Sequence, residues 1–239
     1  MEIIKTRSHV LALLAVLLAL PMVAPAHASD SPGPQFHAVM DVDLDANGRV
    51  LAVEPADDAA REIADFLRNQ IDSWEFVPAT LNGRPAATRT SVSFRLQATG
   101  AKAGRTIEVR VIDAGTGPRY AKAKLPRFPQ VAIDRRETGE VLLRVAFDTE
   151  GRVVDVAVVK RVGRPYFDRV AVDAVRQWTF QPERVGNVGI AATVFVPVRF
   201  CIQGRACRML PDQPEGPQGS GPRLVGEPAA KIVRRGAPG

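Results

Sequence analysis

The sequence contains few of the side chains that catalytic and metal-binding sites require. Its 239 residues include 3 His and 2 Cys, and two of the histidines, His9 and His27, lie in an N-terminal segment with the features of an export signal. The remaining histidine, His37, lies beside an apolar strand without candidate partner ligands. A Ser/His/Asp triad, a Cys/His pair or a zinc site needs more partners than this. We therefore predict that the protein is not an enzyme, and that it has no catalytic residues, no cofactor and no bound metal.

Aromatic side chains are also scarce, at 6% of the sequence, so the core must consist mainly of Val, Ala, Leu and Ile. The hydrophobic fraction of 46% and the charged fraction of 24% are typical of a folded globular protein. The net charge of +6 comes from Lys and Arg that are scattered rather than clustered. A scattered basic surface does not form a nucleic-acid patch. We therefore expect neither a nucleic acid nor a small-molecule substrate as a partner.

The N-terminus has the parts of a secretory signal peptide. A short basic start is followed by an unbroken apolar run over residues 10–20. Residues 26–28 then match the A-x-A pattern of a cleavage site, which places the cut between Ala28 and Ser29. We expect residues 1–28 to be removed after export. The alternative is an uncleaved anchor, and only in that case would the protein contact the membrane.

The C-terminal residues 209–239 are rich in Pro and Gly and have almost no apolar periodicity. Such a segment cannot bury enough apolar surface to offset the entropy that is lost when it becomes ordered. The sequence therefore predicts a disordered tail here.

Three sequence blocks occur twice, in the same order and at an offset of 103 or 104 residues. They are D-x-x-G-R-V at 45–50 and 148–153, W-x-F-x-P at 74–78 and 178–182, and V-x-x-R followed by an apolar residue at 92–96 and 196–200. This agreement predicts a tandem duplication. We place the two units at residues 35–98 and 124–208, with a linker at residues 99–123 between them.

Within each unit the hydrophobic pattern predicts strand, turn, strand, helix and strand. In the second unit, residues 140–148 and 152–160 predict a hairpin. Apolar residues then recur at helical spacing from Phe167 to Trp178, and Pro182 should end the helical segment. The hairpin of the first unit contains Asn47-Gly48, a pair typical of a type I′ turn. The predicted fold class is α+β, with two tandem β-β-α-β units that each form a small antiparallel sheet covered by a helix.

Residues 105–113 of the linker alternate between apolar and charged side chains. The alternation predicts an extra strand, which we expect to extend the sheet of one unit. A unit of about 65 residues buries too little of its surface to be stable alone. Residues 35–98 by themselves should therefore fold poorly.

The second unit contains four motifs in succession: a P-x-F-P segment, a G-R-V turn, a W-x-F-x-P segment and a closing V-P-V-R-F strand. In their order and spacing, residues 126–200 resemble the TonB C-terminal domain. The first unit resembles a degenerate copy that lacks the P-x-F-P segment. The motif residues, for which we expect structural roles, are Pro126, Phe128, Pro129, Gly151, Phe167, Asp168, Trp178, Phe180 and Pro182.

The resemblance implies a function in the cell envelope. Members of this family form the periplasmic ends of energy transducers, and they bind the TonB box of outer-membrane receptors by adding it as a strand to their sheet. The implied protein is periplasmic, supports energy-coupled transmembrane transport and binds such a receptor or another envelope protein. If residues 1–28 are cleaved, the alternative is a soluble periplasmic adaptor without energy transduction. An uncleaved segment would instead give an inner-membrane protein that faces the periplasm.

The final strand of the second unit is the predicted binding surface. It should lie at a sheet edge, because the hairpin strands pair with each other and because Pro197 is best tolerated where its missing N–H would face solvent. An open edge can accept a partner strand. The alternative is that the first unit or the following loop covers the edge. The predicted binding residues are Thr193, Val194, Phe195, Val196, Pro197, Val198 and Arg199.

Residues 43–54 match the calcium-binding loop of an EF-hand, with Asp43 as the first ligand and Glu54 as the last. An EF-hand loop lies between two helices, whereas the flanking residues here alternate like strands. The corresponding turn of the second unit has Ala at both terminal ligand positions. We therefore predict a hairpin turn rather than a calcium site.

Cys201 and Cys207 follow the last strand. Export to an oxidising compartment, the even number of Cys and the Gly between them favour a disulfide. The alternative is a pair of free thiols or a redox site, for which the C-x-x-C spacing is absent.

Overall fold

The computed structural model describes residues 33–99, 108–202 and 228–234. They form an α+β fold of small antiparallel sheets and short helices, as predicted. The elements up to residue 99 are β1 (Gln35–Leu44), β2 (Val50–Pro55), α1 (Asp58–Glu62), α2 (Ala64–Asp72), β3 (Glu75–Val77), β4 (Thr80–Leu81), β5 (Arg84–Pro85) and β6 (Thr88–Thr99).

The elements after residue 107 are β7 (Glu108–Gly117), β8 (Arg119–Lys122), α3 (Gln130–Asp134), β9 (Gly139–Phe147), β10 (Val153–Val162), α4 (Tyr166–Val175), β11 (Thr179–Gln181), β12 (Arg184–Val185), β13 (Val188–Gly189), β14 (Ala192–Phe200) and β15 (Lys231–Arg234). The predicted cleavage site between Ala28 and Ser29 lies outside the described residues. Cys207 also lies outside them, so the disulfide with Cys201 remains a prediction.

The larger sheet is built on two long strands, β1 and β6, which pair from Gln35 opposite Gln97 to Leu44 opposite Thr88. β2 pairs with the other side of β1, and β7 with the other side of β6. The predicted extra strand therefore exists and extends the sheet of the first unit. The β12–β13 hairpin also joins this sheet, beside the start of β6, so that one sheet contains strands from both predicted units.

The predicted first helix is broken into two. α1 begins after Asp57, whose carboxylate accepts a hydrogen bond from the Ala60 N–H at 2.7 Å. The backbone leaves helical geometry at Ile63, and α2 follows with Leu67 and Ile71 fully buried. Both helices pack on the first sheet, because their buried residues belong to the same hydrophobic core as β1 and β6.

The second sheet has the order β10, β9, β14. α4 covers one face of it and places Phe167, Ala171 and Val175 in a second hydrophobic core. The helix ends at Val175 and not near Pro182, so the predicted end of the helical segment is wrong. Residues 179–181 instead form β11 and pair with β8, because W-x-F-x-P places every second side chain in the core, as a strand does.

The first hairpin does not turn through a type I′ geometry. Gly48 has a φ of 81°, but Asn47 is absent from the described non-glycine residues with positive φ, and a type I′ turn needs both. The Asp45 carboxylate closes the turn, since it accepts the N–H groups of Asn47 and Arg49 at 2.7 and 2.9 Å. Positive φ at both central residues occurs instead at Asn82 and Gly83, between β4 and β5.

The prediction of a disordered C-terminal tail is wrong for residues 228–234. Within this stretch β15 pairs with β3, and Ile232 lies opposite Phe76. Ala230 is fully buried, and Ile232 packs against the first core. The sequence shows no periodicity here because Ala230 and Ile232 are the residues of the segment that reach the core, and they are too few to form an apolar pattern.

Candidate protein-binding edge

β14 forms one edge of the second sheet. It pairs antiparallel with β9, from Ala192 opposite Phe147 to Phe200 opposite Gly139. No strand among the described residues pairs with its other side. The predicted edge position is confirmed to that extent, and it presents a row of backbone N–H and C=O groups of the kind that a partner strand uses.

The side chains of β14 alternate between the core and the opposite face of the sheet. The core residues are Val194, Val196 and Val198, and those of the opposite face are Thr193, Phe195, Pro197 and Arg199. Phe195 is 37% exposed. The strand therefore combines a firmly anchored inner face with an accessible aromatic side chain on the outer one.

Arg199 has a buried partner. Its Nε donates to Oε1 of Glu140 at 3.2 Å, and the Glu140 side chain is fully buried while that of Arg199 is 20% exposed. Glu140 lies directly opposite Arg199 on β9. Because a buried carboxylate needs a charged or hydrogen-bonding partner, Arg199 stabilises the fold in addition to any contact with a ligand.

An aromatic cluster packs against the core side of β14 at Phe200, the last residue of the strand. Phe167 stacks on Phe200, with ring centroids 4.6 Å apart, and Phe128 meets both rings edge-on. Pro126 is half-buried, and Pro129 precedes α3, where its carbonyl accepts the N–H groups of the first helical turn. The P-x-F-P segment thus places one aromatic ring beneath the end of the candidate edge.

The G-R-V turn and the W-x-F-x-P segment contact each other. The Phe180 N–H donates to the Gly151 carbonyl at 2.8 Å, and a side chain at Gly151 would collide with the Phe180 carbonyl and approach Pro182. Trp178 is 3% exposed, and its Nε1 donates to the Lys124 carbonyl at 2.7 Å. The predicted structural role of these residues agrees with their positions in the core.

Asp168 lies in the first turn of α4, directly after the buried Phe167. Its carboxylate forms an ion pair with Arg161 of β10. A carboxylate in the first turn of a helix also interacts favourably with the helix dipole. Asp168 thus connects the start of α4 to the sheet on the side away from β14.

β10 is the opposite edge of the second sheet, and it is also unpaired on its outer side among the described strands. Its exposed apolar residues are Val154, Val158 and Val159. β10 has two register shifts against β9, and the second is followed by Lys160 and Arg161. Bulges and Lys residues are features that protect an edge from strand addition. β14 pairs with β9 without a register shift, which makes it the better template.

The carboxylates of the EF-hand pattern are used within the hairpin and the sheet. The Arg89 guanidinium lies 3.3 Å from the Asp43 carboxylate and 3.4 Å from that of Glu54. The hydrogen bond from the Arg49 N–H lowers the pKa of Asp45. The described residues contain no cluster of three or more His, Cys, Asp or Glu arranged to bind a metal.

Sequence reasoning missed Glu183, a residue of the second predicted unit that is 5% exposed and contacts the first. Its carboxylate accepts a hydrogen bond from the Thr90 hydroxyl at 2.6 Å and one from the Ala229 N–H, also at 2.6 Å. Burial raises the pKa of Glu183 despite these bonds. The only signal in the sequence was its position, directly after W-x-F-x-P, where the first block has Ala79.

Residues 124–202 match the family described as Gram-negative bacterial TonB protein C-terminal. Protein TonB of Vibrio cholerae is 28% identical over 109 residues, which cover 45% of this chain and 43% of that protein. Protein TonB of Xanthomonas campestris is 38% identical over 77 residues, or 32% of this chain and 34% of that protein. Protein TonB of Escherichia coli is 26% identical over 88 residues, or 37% and 36%.

The chain therefore spans less than half the length of these curated relatives. The predicted resemblance is confirmed for residues 124–202, which form a TonB C-terminal domain. Proteins of the TonB family are non-enzymatic energy transducers or adaptors that face the periplasm, which agrees with the prediction that the protein is not an enzyme. Within the described ranges, no helix is long and apolar enough to span a membrane.

Proposed function

Because residues 124–202 form a TonB C-terminal domain, we propose that the protein acts in the periplasm by binding an extended segment of an envelope protein. The segment adds to β14 as a fourth strand of the second sheet. The proposed partner is an outer-membrane receptor that presents a TonB-box segment, and binding supports energy-coupled transport. The observation that carries this proposal is the edge of β14, which pairs regularly with β9 and has no neighbour on its outer side among the described strands.

The position of Pro197 indicates which backbone groups would bind the partner. A proline in a paired strand is tolerated where its nitrogen faces away from the ladder. Backbone groups with the same direction recur at every second residue of a strand. Thr193, Phe195 and Arg199 would therefore offer N–H and C=O groups to the incoming strand, while Pro197 would offer only its carbonyl.

The exposed face of β14 would select the partner sequence. Phe195 lies opposite Arg144 on β9, and Arg144 pairs with Asp155 on β10 at 3.3 Å. An apolar side chain of the partner beside Phe195 would bury the exposed part of the ring. Backbone hydrogen bonds would supply most of the affinity and this contact most of the specificity.

Amide-shift mapping with a TonB-box-like peptide tests the proposal. We expect perturbations at residues 193–200 and much smaller ones along β10. Phe195→Pro removes one outward N–H and should abolish most of the binding. Phe195→Ala retains the backbone and should only weaken the binding, by roughly tenfold, because only the exposed part of the side chain, at 37%, contributes to the contact.

A proline at the opposite edge provides the matched control. Val154 is 64% exposed on β10, so that Val154→Pro should affect the fold to a similar degree and leave peptide binding intact. Thermal melts of both proline variants separate loss of binding from loss of folding. Shifts along β10 with none in β14 would exclude the proposed edge.

We also propose that residues 35–98 and 124–208 are copies of one β-β-α-β unit. The proposal is supported by the order of their elements and by the glycine turns that contact W-x-F-x-P in each. Only the second copy has an aromatic P-x-F-P cluster beneath its last strand. In the first, β7 occupies the outer side of β6, the strand that corresponds to β14. The first copy should therefore bind no partner at this position, and peptide-induced shifts in β6 would contradict that.

Whether the protein transmits force or acts as a soluble adaptor depends on residues 1–28. Cleavage after Ala28 would release a soluble adaptor, while an intact segment would anchor the domain for energy transduction. The mass of the mature protein from a periplasmic extract distinguishes the two. A mature N-terminus at Ser29 would exclude a membrane-anchored transducer without affecting the proposal for β14.

A further inference from the structure

Two short ladders in the molecule have the same register. In one, β8 pairs with β11, with Tyr120 opposite Phe180. In the other, β15 pairs with β3, with Ile232 opposite Phe76. Each ladder contains one irregularity, at which a single residue is skipped directly after Tyr120 and directly after Ile232. β15 thus adds to the W-x-F-x-P segment of the first unit as β8 adds to that of the second.

The side chains that enter the cores also correspond. Tyr120 packs against Trp178 and Phe180, with both ring centroid distances at 5.4 Å. Ile232 packs against the first core, which contains Trp74 and Phe76. Each strand therefore inserts one large side chain beside a Trp and a Phe.

The two strands, β8 and β15, differ in where they lie in the sequence relative to the unit that they extend. β8 lies 17 residues before β9 in the chain (139 − 122), directly upstream of the unit that it completes. β15 lies 31 residues after β14 (231 − 200), at the far end from the unit that it completes. The first unit thus receives its added strand from a distant segment of the chain.

A set of polar contacts fixes the residues that lead into β15. The Glu183 carboxylate accepts the N–H groups of Ala229 at 2.6 Å and of Ala230 at 3.5 Å. The Thr116 hydroxyl of β7 donates to the Ala230 carbonyl. Ala230 is fully buried, so a larger residue at this position would not fit. These contacts recognise an extended backbone with a small side chain just before the strand.

We propose that the edge of β3, together with Glu183 and Thr116, is a second strand-addition site, and that the chain's own residues 228–234 are its displaceable ligand. The ligand class is an extended peptide with two small residues, one spacer residue and one branched apolar residue, as in Ala229-Ala230-Lys231-Ile232. This site is distinct from β14 and does not depend on the proposed function.

The bound segment has the features of a strand that can leave its site. Its ladder contains three residue pairs, Val233 is 64% exposed, and Ile232 is its one large apolar contact with the core. Segments with few buried contacts open at a low free-energy cost. The covalent connection to the domain raises the local concentration of the segment and keeps the site occupied.

Cleavage of the connection in the intact protein tests the proposal. A protease site inserted after residue 215 allows the chain to be cut once it has folded, so that all of its residues remain present. We expect residues 228–239 to stay bound after cleavage. A fluorescent peptide of residues 226–236 should then exchange into the site in a saturable manner, whereas the uncut protein should take up far less.

Two variants of the peptide test the specificity of the site. Ile232→Asp should bind at least about tenfold more weakly, because it loses the core contact. Val233→Asp should bind like the original peptide, since this side chain faces solvent. Equal affinities of the two variants would overturn the proposal, because they would show that the core contact does not select the ligand.

The fold of the cut protein is followed by circular dichroism. A cut protein that keeps its melting curve and takes up no labelled peptide would also overturn the proposal. If the cut protein loses structure on removal of the segment, the added peptide must restore the melt, and failure to do so would exclude a displaceable ligand.

Discussion

Gly48 and Gly151 stand in the same relationship to a backbone carbonyl, that of Phe76 for the first and that of Phe180 for the second. Both glycines have a φ of 81°, and a Cβ on either would collide with the carbonyl above it. Glycine is therefore required at these turns for two reasons, the positive φ and the close approach of W-x-F-x-P. This explains why the two blocks recur together in the sequence.

The two reasons can be separated by a pair of alanine variants. Gly83 has a φ of 77° and open space around it, so Gly83→Ala should cost about 1 kcal/mol for the backbone conformation alone. Gly151→Ala adds a collision with backbone atoms and should cost about 3 kcal/mol or more, since the turn or β11 must move. Urea denaturation of both variants measures the difference. If both variants lose the same free energy of unfolding, the close approach to the Phe180 carbonyl does not contribute to the requirement for glycine.

Trp178 should contribute to stability rather than to recognition. It is 3% exposed and packs against Tyr120, so Trp178→Ala should lower the free energy of unfolding by about 3–5 kcal/mol. Trp178→Phe fills more of the space but leaves the Lys124 carbonyl without its donor, and should cost about 1–3 kcal/mol. An alanine variant that melts like the wild type but loses peptide binding would mean that Trp178 contacts the partner.

The sequence predicted the elements whose pattern is local. The β1–β2 and β9–β10 hairpins and the helical segments at α2 and α4 followed from apolar spacing, because each buries one continuous face. The edge position of β14 followed from the pairing of the hairpin strands and from Pro197. The α1–α2 break at Ile63 and the turn at Gly48 were not foreseen, because they depend on backbone geometry that the residue types only permit. The short β11 was hidden because three residues are too few to show a period of two.

The features that the sequence did not predict are contacts between distant segments. Arg199 was predicted as a binding residue, and its pairing with Glu140 depends on the register between β14 and β9. Glu183 and residues 228–234 carry no motif, and their contacts join parts of the chain that are 46 positions apart. Such contacts depend on how distant segments pack together, and this packing leaves no recognisable pattern in a single sequence.

The stability of the protein should depend on the protonation of Glu183. Burial raises the pKa of this carboxyl in the folded state, so the ionised form is disfavoured there relative to the unfolded chain. Its contribution to stability is present in full below the unfolded pKa, and is lost as the pH rises through the folded pKa. Lowering the pH from 7 towards 5 should therefore increase the contribution of Glu183 to the free energy of unfolding.

The variant Glu183→Gln provides the test, because a glutamine side chain cannot ionise. The free energy of unfolding of the variant minus that of the wild type should be more positive at pH 7 than at pH 5. Taking this difference cancels the opposite effect of groups such as Asp41, whose pKa is lowered because bonds to Arg119 and Ser91 outweigh desolvation. A difference that does not change with pH would show that Glu183 does not titrate in this range.

Residues 35–98 expressed alone should fold poorly. The fragment lacks β7, the β12–β13 hairpin and β15, and all three pair with its strands. Residues 33–122 restore β7 along most of β6 and should melt more cooperatively, although less so than the whole chain. A sharp thermal transition of the shorter fragment would show that the first unit is an independent domain.

The pair of Arg199 and Glu140 links the stability of the second sheet to its binding edge. Arg199→Met removes the charge but keeps most of the side-chain volume, and it leaves a fully buried carboxylate without this partner. Removing one partner of a buried ion pair costs about 3–5 kcal/mol, whereas replacing both by apolar residues is often close to neutral. Arg199→Met should therefore be strongly destabilising, and the double variant Arg199→Met/Glu140→Leu should recover most of the loss. Chemical denaturation of the wild type, of both single variants (Arg199→Met and Glu140→Leu) and of the double variant measures the coupling. Peptide titration of the double variant shows whether Arg199 also contacts the partner. If the double variant is as unstable as Arg199→Met alone, Glu140 has a role in the fold that does not depend on Arg199.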